Sequence, residues 1–273
     1  MHLGVAIEKR IADSHAESVG VAFQDLETGE KLLIDADESF HAASTMKVPV
    51  LVELFHQAEL GNVSLVSKVK VRNQFFSLAD GSAYTTEVED DGEKTLYQLL
   101  EEDAPLIDVA TLMITHSSNL GTNLLMELLG AENVNAYMAE IGLRDLVVRR
   151  GVMDMKAFNL GMNNKVTASA LMSLAAKLAR GEVVSPAASE AMIGIMRQQF
   201  YLNSIPAKLP ADANVANKTG SMTMICHDFG IVYPPSRGPF VLAVLTRGLQ
   251  EDTAGPELIS DIASLCYAHA LAH

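Results

Sequence analysis

The stretch His41-Ala-Ala-Ser44-Thr-Met-Lys47-Val-Pro-Val50 marks the point where the chain passes from β-type to helical patterning. Upstream, Val19-Gly-Val-Ala-Phe23 and Lys31-Leu-Leu-Ile-Asp35 flank Glu27-Thr-Gly-Glu30. Two short apolar runs around a glycine-containing turn predict a β-hairpin. Downstream, Val48, Val50, Leu51, Leu54 and Phe55 have the spacing of a largely buried helix. Pro49 is tolerated only near a helix start, so the helix is expected to begin close to Ser44. Ser44 and Lys47 are then about one turn apart, with hydroxyl and ammonium on one face. A serine hydroxyl is a poor nucleophile until a base takes its proton, and a lysine desolvated or set near another cation can become that base. Ser44 is therefore the candidate nucleophile and Lys47 its base or proton relay. By spacing alone the pair is no more distinctive than Ser67-Lys-Val-Lys70, and a helix-start serine beside a solvated lysine stays open as a reading.

Composition narrows the function classes. The 273 residues suffice for one large domain or two interleaved lobes, and 49% apolar content excludes a disordered chain. A formal net charge of -14 argues against nucleic acid as partner, since phosphate binding needs clustered Lys and Arg. The acidic runs Glu87-Val-Glu-Asp-Asp-Gly-Glu93 and Glu101-Glu-Asp103 lack the spaced oxygens of a calcium loop and read as solvated surface. No metal and no cofactor is expected. Two cysteines, Cys226 and Cys266, are too few for a disulfide framework, and spacing does not decide whether they pair. No apolar run approaches the ~18 residues of a membrane span. The first ten residues lack the basic start and apolar core of a secretory signal, which leaves open a cytoplasmic protein or a processed form.

Patterning outward from the Ser44 stretch gives the architecture. Leu3, Ile7 and Ile11 predict an amphipathic helix over residues 2–15, and residues 62–94 are irregular and polar. Helical patterning runs from Leu96 to about Arg197, with Thr167 and Ser185-Pro186 as helix starts. Strand signals return at Asn217–Ile225, Gly230–Tyr233 and Phe240–Thr246, and an amphipathic helix closes the chain from Gly255 to Ala272. The expected class is α+β, three-layer α/β/α-like: an antiparallel sheet built from both chain ends with an inserted all-helical lobe. The expected division is residues 1–42 with 203–273 as the α/β lobe, and 43–202 as the helical lobe.

Three short motifs stand in order: Ser44-x-x-Lys47, Ser117-x-Asn119 and Lys218-Thr-Gly220. Each of the last two occurs once, and alone each would read as a helix cap or an ordinary turn. Together with their wide separations, and with Met113-Ile-Thr-His-Ser-Ser-Asn-Leu-Gly-Thr-Asn123 around the second, they resemble the class A branch of the serine β-lactamase and penicillin-binding protein superfamily. The resemblance covers essentially the whole chain and implies a β-lactamase/transpeptidase-like fold. It also implies acyl transfer through an acyl-enzyme at Ser44. Ser117 would carry a proton to the leaving nitrogen, Asn119 would hold a substrate carbonyl, and Thr219 a carboxylate. Lys218 supplies a second positive charge that can hold Lys47 partly deprotonated. The backbone amides of Ser44 and Ser221 would form the oxyanion hole. A Ser-His triad has no Gly-x-Ser-x-Gly to support it, whether through His116 or His227.

Departures from the pattern bear on turnover. Efficient class A enzymes carry a glutamate on the loop between the second and third motifs. Here Arg149–Asn164 contains none, and Asp154 is its only carboxylate. Asp154 is thus the candidate water-activating base, with a loop-fixing or surface role as the other reading. Ser118 stands where the family often has aspartate. Cys226 and His227 follow the third motif where relatives often place an arginine, so a substrate-carboxylate clamp would be missing or come from Arg247. The expected partner is a small molecule, a β-lactam first, an ester or amide second, acted on by a monomer with no membrane partner. A protein that binds β-lactams or peptidoglycan fragments without turnover is the reading from a different class.

Overall fold

The computed structural model describes residues 3–251 and 253–272. The chain divides into two compact units, Met1–Thr45 with Val166–His273, and Met46–Lys165. In chain order the first unit opens with α1 (Leu3–Asp13), β1 (Ser18–Asp25), β2 (Lys31–Ile34) and the short β3 (Phe40–His41). The second unit holds α2 (Lys47–Glu59), α3 (Leu106–Thr115), α4 (Asn119–Leu129) and α5 (Ala131–Glu140). The chain then adds α6 (Ala168–Ala179), α7 (Pro186–Met196), β4 (Asn214–Met222), β5 (Ile225–Tyr233), β6 (Phe240–Arg247) and α8 (Ala254–Ala272) to the first.

The first unit is built on a five-stranded sheet in the order β2-β1-β6-β5-β4. Every neighbouring pair is antiparallel. Side chains alternate across a strand, so Val19, Val21 and Phe23 of β1 and Phe240, Leu242 and Val244 of β6 join one apolar core. Ile259, Ile262 and Cys266 of α8 and Leu3 and Ile7 of α1 complete it. The opposite face carries α6, which packs against β1, β5 and β6. The unit is therefore helix, sheet, helix. Thr167 and Ser185 cap α6 and α7 by accepting the Ala170 and Ala188 amides, at the starts the sequence predicts.

The division differs from the expected one at both ends of the helical lobe: residues 43–45, Ser44 among them, and residues 166–202 belong to the sheet-containing unit. The helices over 168–179 and 186–196 belong to the sheet-containing unit rather than to the insert, because α6 covers the sheet's second face and α7 packs on β4. Helical periodicity identifies a helix but not the surface it covers. The insert is helical with two short ribbons, Lys68–Lys70 with Asp103–Pro105 and Phe75–Phe76 with Ala83–Tyr84. Cys226 and Cys266 are both buried free thiols. Among the described residues no helix is long and apolar enough to cross a membrane.

β4 is an edge strand whose single ladder depends on close approach to β5. A Cβ on Gly230 would stand 2.2 Å from the Ala216 carbonyl oxygen and 2.7 Å from the Asn217 Cα, and backbone cannot yield as a side chain does. Gly230→Ala is expected to cost about 2 kcal/mol by overpacking and to lower the thermal midpoint by roughly 4–8 °C. Circular dichroism melting checks this, and an unchanged midpoint would show that the two strands separate freely.

Candidate active site

Within the second unit the geometry centres on Lys47, the first residue of α2, whose side chain is fully buried. Its ammonium donates to the Ser117 carbonyl at 2.7 Å, the Asn119 Oδ1 at 3.0 Å and the Ser117 Oγ at 3.1 Å. The turn between α3 and α4 makes this possible. Ser117 has φ +58°, a left-handed conformation that non-glycine residues adopt only when their surroundings hold them there. It brings the carbonyl and hydroxyl of one residue to the same ammonium. Ser118 follows as the N-cap of α4 and accepts from the Gly121 amide at 3.1 Å.

The acidic run over 87–93 is solvated surface only in part: Glu87, Glu89 and Asp90 are exposed as its composition predicts, but Asp91 and Glu93 are not. Asp91 and Glu93 are 5% and 6% exposed. Asp91 accepts the Asn119 amide at 2.9 Å, the Leu120 amide at 2.9 Å and the Tyr97 hydroxyl at 3.0 Å. It sits at the start of α4, where unpaired amides and the helix dipole favour an anion. The carboxylate that Ser118 does not supply is thus supplied by Asp91, 27 residues upstream. Composition cannot find it, because a buried capping carboxylate and a solvated one look alike in sequence. The Asp-Gly pair followed by Glu93, which accepts the Thr95 and Leu96 amides, is the one local hint of a helix start.

The loop over 149–164 is held from inside the same unit. Asn123 makes a two-point contact with the backbone of Val152, accepting its amide at 2.7 Å and donating to its carbonyl at 3.0 Å. Asn123 is thus a buried amide holding backbone, as its place in α4 suggests. Asn164 closes the loop's neck by accepting the Arg149 and Arg150 amides and donating to the Arg150 carbonyl. Asp154 is 2% exposed. Its carboxylate accepts from the Ser77 Oγ at 2.7 Å, the Leu78 amide at 2.9 Å and the Ala157 amide at 3.1 Å. The first two donors tie the loop to the hairpin at 75–84, and the third caps the short helix Met155–Asn159 within the loop.

Within the first unit Ser44 lies in a short 3-10 turn, Ala43–Met46, that leads into α2. Gly220 of β4 passes this turn so closely that a Cβ there would be 3.0 Å from the Ser44 amide nitrogen and 3.1 Å from that of Thr45. The glycine of Lys218-Thr219-Gly220 is therefore the residue that lets the edge strand approach Ser44. Ser221 follows it, exposed, and Thr219 is half-buried. Lys218 is fully buried and donates to the Thr219 carbonyl at 2.9 Å. Burial pushes its ammonium down to about 7, against the opposing pull of Asp228. Asp228, equally buried on β5, is pushed up to about 7 despite two bonds from the Asn217 amide and one from the Ile205 amide.

His227 does not replace a missing arginine. It is fully buried, accepts the Thr246 amide on Nδ1 at 3.1 Å and lies 2.9 Å from the His41 carbonyl through Nε2. Burial depresses it to about 4. Arg247, the other candidate clamp, is engaged by Glu17 and Glu38 at 3.2 and 2.6 Å and lies over the Phe40 ring. That corrects its expected availability. Among the described residues no group of three His, Cys, Asp or Glu side chains is arranged to hold a metal.

An antiparallel sheet covered by helices, with an inserted helical unit and these three motifs, is the architecture of the class A β-lactamase-like serine hydrolases. The chain belongs to the β-lactamase enzyme family, whose family model matches residues 3–270. A β-lactamase of Streptomyces lavendulae is 25% identical over 265 residues, 94% of this chain and 83% of that enzyme. The crystal structure of a β-lactamase from Sphaerobacter thermophilus superposes with TM-score 0.85 at 25% identity, covering 99% of this chain and 97% of the other. PBP-A superposes with TM-score 0.85 at 29% identity, covering 100% and 97%. A leucine-to-glutamate mutant of PBP-A has been seen as an acyl-enzyme complex with penicillin G.

Two outcomes follow from the buried groups. Asp91→Ala leaves the α4 amides without their acceptor, and is expected to lower stability by about 2–3 kcal/mol in chemical denaturation; a cost under about 0.5 kcal/mol would make Asp91 a surface group. His227 takes a proton in the unfolded chain near its usual 6.5 but in the folded chain only near 4. Between those values the unfolded state binds more protons, so its contribution to stability is complete above about 6.5 and declines as pH falls toward 4. His227→Gln should flatten that part of the pH-stability curve, and an unchanged slope would mean His227 titrates alike in both states.

Proposed function

We propose that the protein is a serine β-lactamase-type hydrolase that forms an acyl-enzyme at Ser44 and releases it slowly. The observation that carries this reading is the Lys47 hub, three residues after Ser44 in sequence and 3.1 Å from the Ser117 hydroxyl. Ser44 Oγ attacks the carbonyl carbon of a strained cyclic amide and passes its proton to Lys47 in its neutral amine form, since an ammonium has no lone pair to take it. The carbonyl oxygen gains negative charge and is met by the Ser44 and Ser221 amides. The C–N bond then breaks, the nitrogen takes the Ser117 hydroxyl proton, and Lys47 restores that proton to Ser117. Asn119 and Thr219 hold the substrate's carbonyl and carboxylate, and Lys218 adds positive charge for an anionic substrate. The acylation of a PBP-A mutant by penicillin G supports the same step in a relative.

Release requires an activated water. Asp154 is the loop's only carboxylate, and its oxygens already accept three donors. As a base it would be a poor one, which favours the loop-fixing role for it. The same observation favours a second reading, a protein that traps a β-lactam covalently without useful turnover. An esterase or amidase on this fold would be marked by Ser44-dependent cleavage of short-chain esters instead.

Intact-mass spectrometry after mixing with benzylpenicillin tests the reading. The wild type is expected to gain one penicilloyl mass that maps to Ser44, Ser44→Ala to gain none, and Lys47→Ala to react at least about 100-fold more slowly. An unmodified wild type, or an adduct on Ser44→Ala, would sink the proposal. Asp154→Asn is expected to leave the adduct's lifetime within about threefold, since loss of a true general base costs about 100-fold or more.

A further inference from the structure

The turn that presents Ser44 is held in an unfavourable backbone conformation by one imidazole nitrogen. Ala43, the residue before Ser44, has φ +45°. An alanine there has the steric cost of the left-handed region without glycine's freedom, so neighbouring bonds must fix it. Four do. The Ala43 amide donates to the Nδ1 of His41 at 3.0 Å. The Thr45 amide and hydroxyl donate to the Ala42 carbonyl at 3.1 and 2.6 Å. The His41 carbonyl is 2.9 Å from Nε2 of His227.

The tautomers follow from these partners. The Thr246 amide donates to Nδ1 of His227, so the proton of His227 is on Nε2, donated to the His41 carbonyl. With burial depressing it to about 4, His227 remains a neutral donor throughout the physiological range. His41 has the opposite role: its Nδ1 accepts, and can accept only while unprotonated. A proton on Nδ1 would set two N–H donors against each other across 3.0 Å.

We propose that His41 is a positioning residue for the nucleophile and makes acylation of Ser44 sensitive to pH. Neutral His41 latches the Ala43 amide and keeps Ser44 and its own backbone amide in place. Protonated His41 releases that amide, the left-handed turn loses one of its four supporting bonds, and acylation slows. Activity is therefore full where His41 is neutral and falls as acid protonates it. This inference rests on the reading of Ser44 as nucleophile.

Other titratable and charged groups surround the latch. His227 on β5 feels a charge on His41. Arg247 on β6 lies 5.5 Å from the Phe40 ring centre. Asp35, Asp37 and Glu38 precede His41 on its own segment, and Lys165 precedes Val166 in the short strand paired with β3. Asp228 adjoins His227, and Lys218 lies beside it on β4, both brought toward 7 by burial. A substitution at His41 itself separates its effect from all of these. Asparagine is the informative one, because its Oδ1 hangs from Cγ as the imidazole Nδ1 does, accepts a hydrogen bond, and does not titrate in this range.

The test measures the rate of Ser44 acylation by benzylpenicillin from pH 5 to 8.5 in wild type, His41→Asn and His41→Leu, with hydrogen exchange of the 15N-labelled Ala43 amide over the same range. Wild type should slow about tenfold or more toward pH 5, with Ala43 losing protection in parallel. His41→Asn should keep most of the pH 8 rate, lose the His41-dependent fall, and keep Ala43 protected at both ends. His41→Leu should be slow throughout, with Ala43 unprotected. The same acid limb in His41→Asn as in wild type, or an Ala43 amide equally protected at pH 5 and 8 in wild type, overturns the inference. If no variant is acylated, the Ser44 reading has failed instead, and the Ala43 amide alone still decides whether His41 holds the turn.

Discussion

A lysine ammonium withdrawn wholly from water is costly unless acceptors surround it. Lys47 meets that constraint with a carbonyl, a hydroxyl and a side-chain amide, all from the turn between α3 and α4. Much of the second unit is arranged to supply them. Ser117 takes a left-handed backbone, Ser118 caps α4, and Asp91 gathers the amides of Asn119 and Leu120. Two proposed catalytic side chains, Ser117 and Asn119, are thereby fixed by the group that needs them. The ammonium's desolvation cost and the site's preorganisation are one piece of chemistry.

The first unit solves a matching problem for the nucleophile. Ser44 follows an alanine in the left-handed region, and the bonds from His41, His227 and Thr45 over-determine that turn. Gly220 then admits the edge strand to the Ser44 amide, which no residue with a Cβ could do without displacing the backbone. Lys218 and Asp228 are buried behind it, each displaced toward neutrality by desolvation and each opposing the other's shift. The groups proposed for acylation are thus rigid and supported by further bonds. Asp154, the candidate water-activating base, is by contrast engaged in holding its loop and accepts three donors there.

Much of this was legible in the sequence, for identifiable reasons. The hairpin, the terminal helices and the three motifs declare themselves through periodicity and local chemistry, and the structure puts Lys47, Ser117 and Asn119 within hydrogen-bond reach. What failed to show depends on long-range partners. The helix at 168–179 has an ordinary amphipathic pattern, and only the sheet it covers assigns it to the first unit. Asp91 sits in an acidic run that resembles solvated surface, yet it is buried beneath α4. Arg247 has the right charge for a carboxylate clamp, but Glu17 and Glu38, distant in sequence, hold it. His227 offers itself only as a triad histidine, and His41 carries no signal of its own, until the backbone atoms they hold are known.

The proposed imbalance between acylation and release has a kinetic signature. Rapid-mixing absorbance measurement with a chromogenic cephalosporin in modest excess reads it directly. Acylation outrunning release gives a burst of ring opening near one equivalent per protein, followed by a much slower steady rate. Linear turnover from the first milliseconds, at a rate equal to acylation, would mean that water is activated efficiently and would contradict the division between a complete acylation site and a deficient release step.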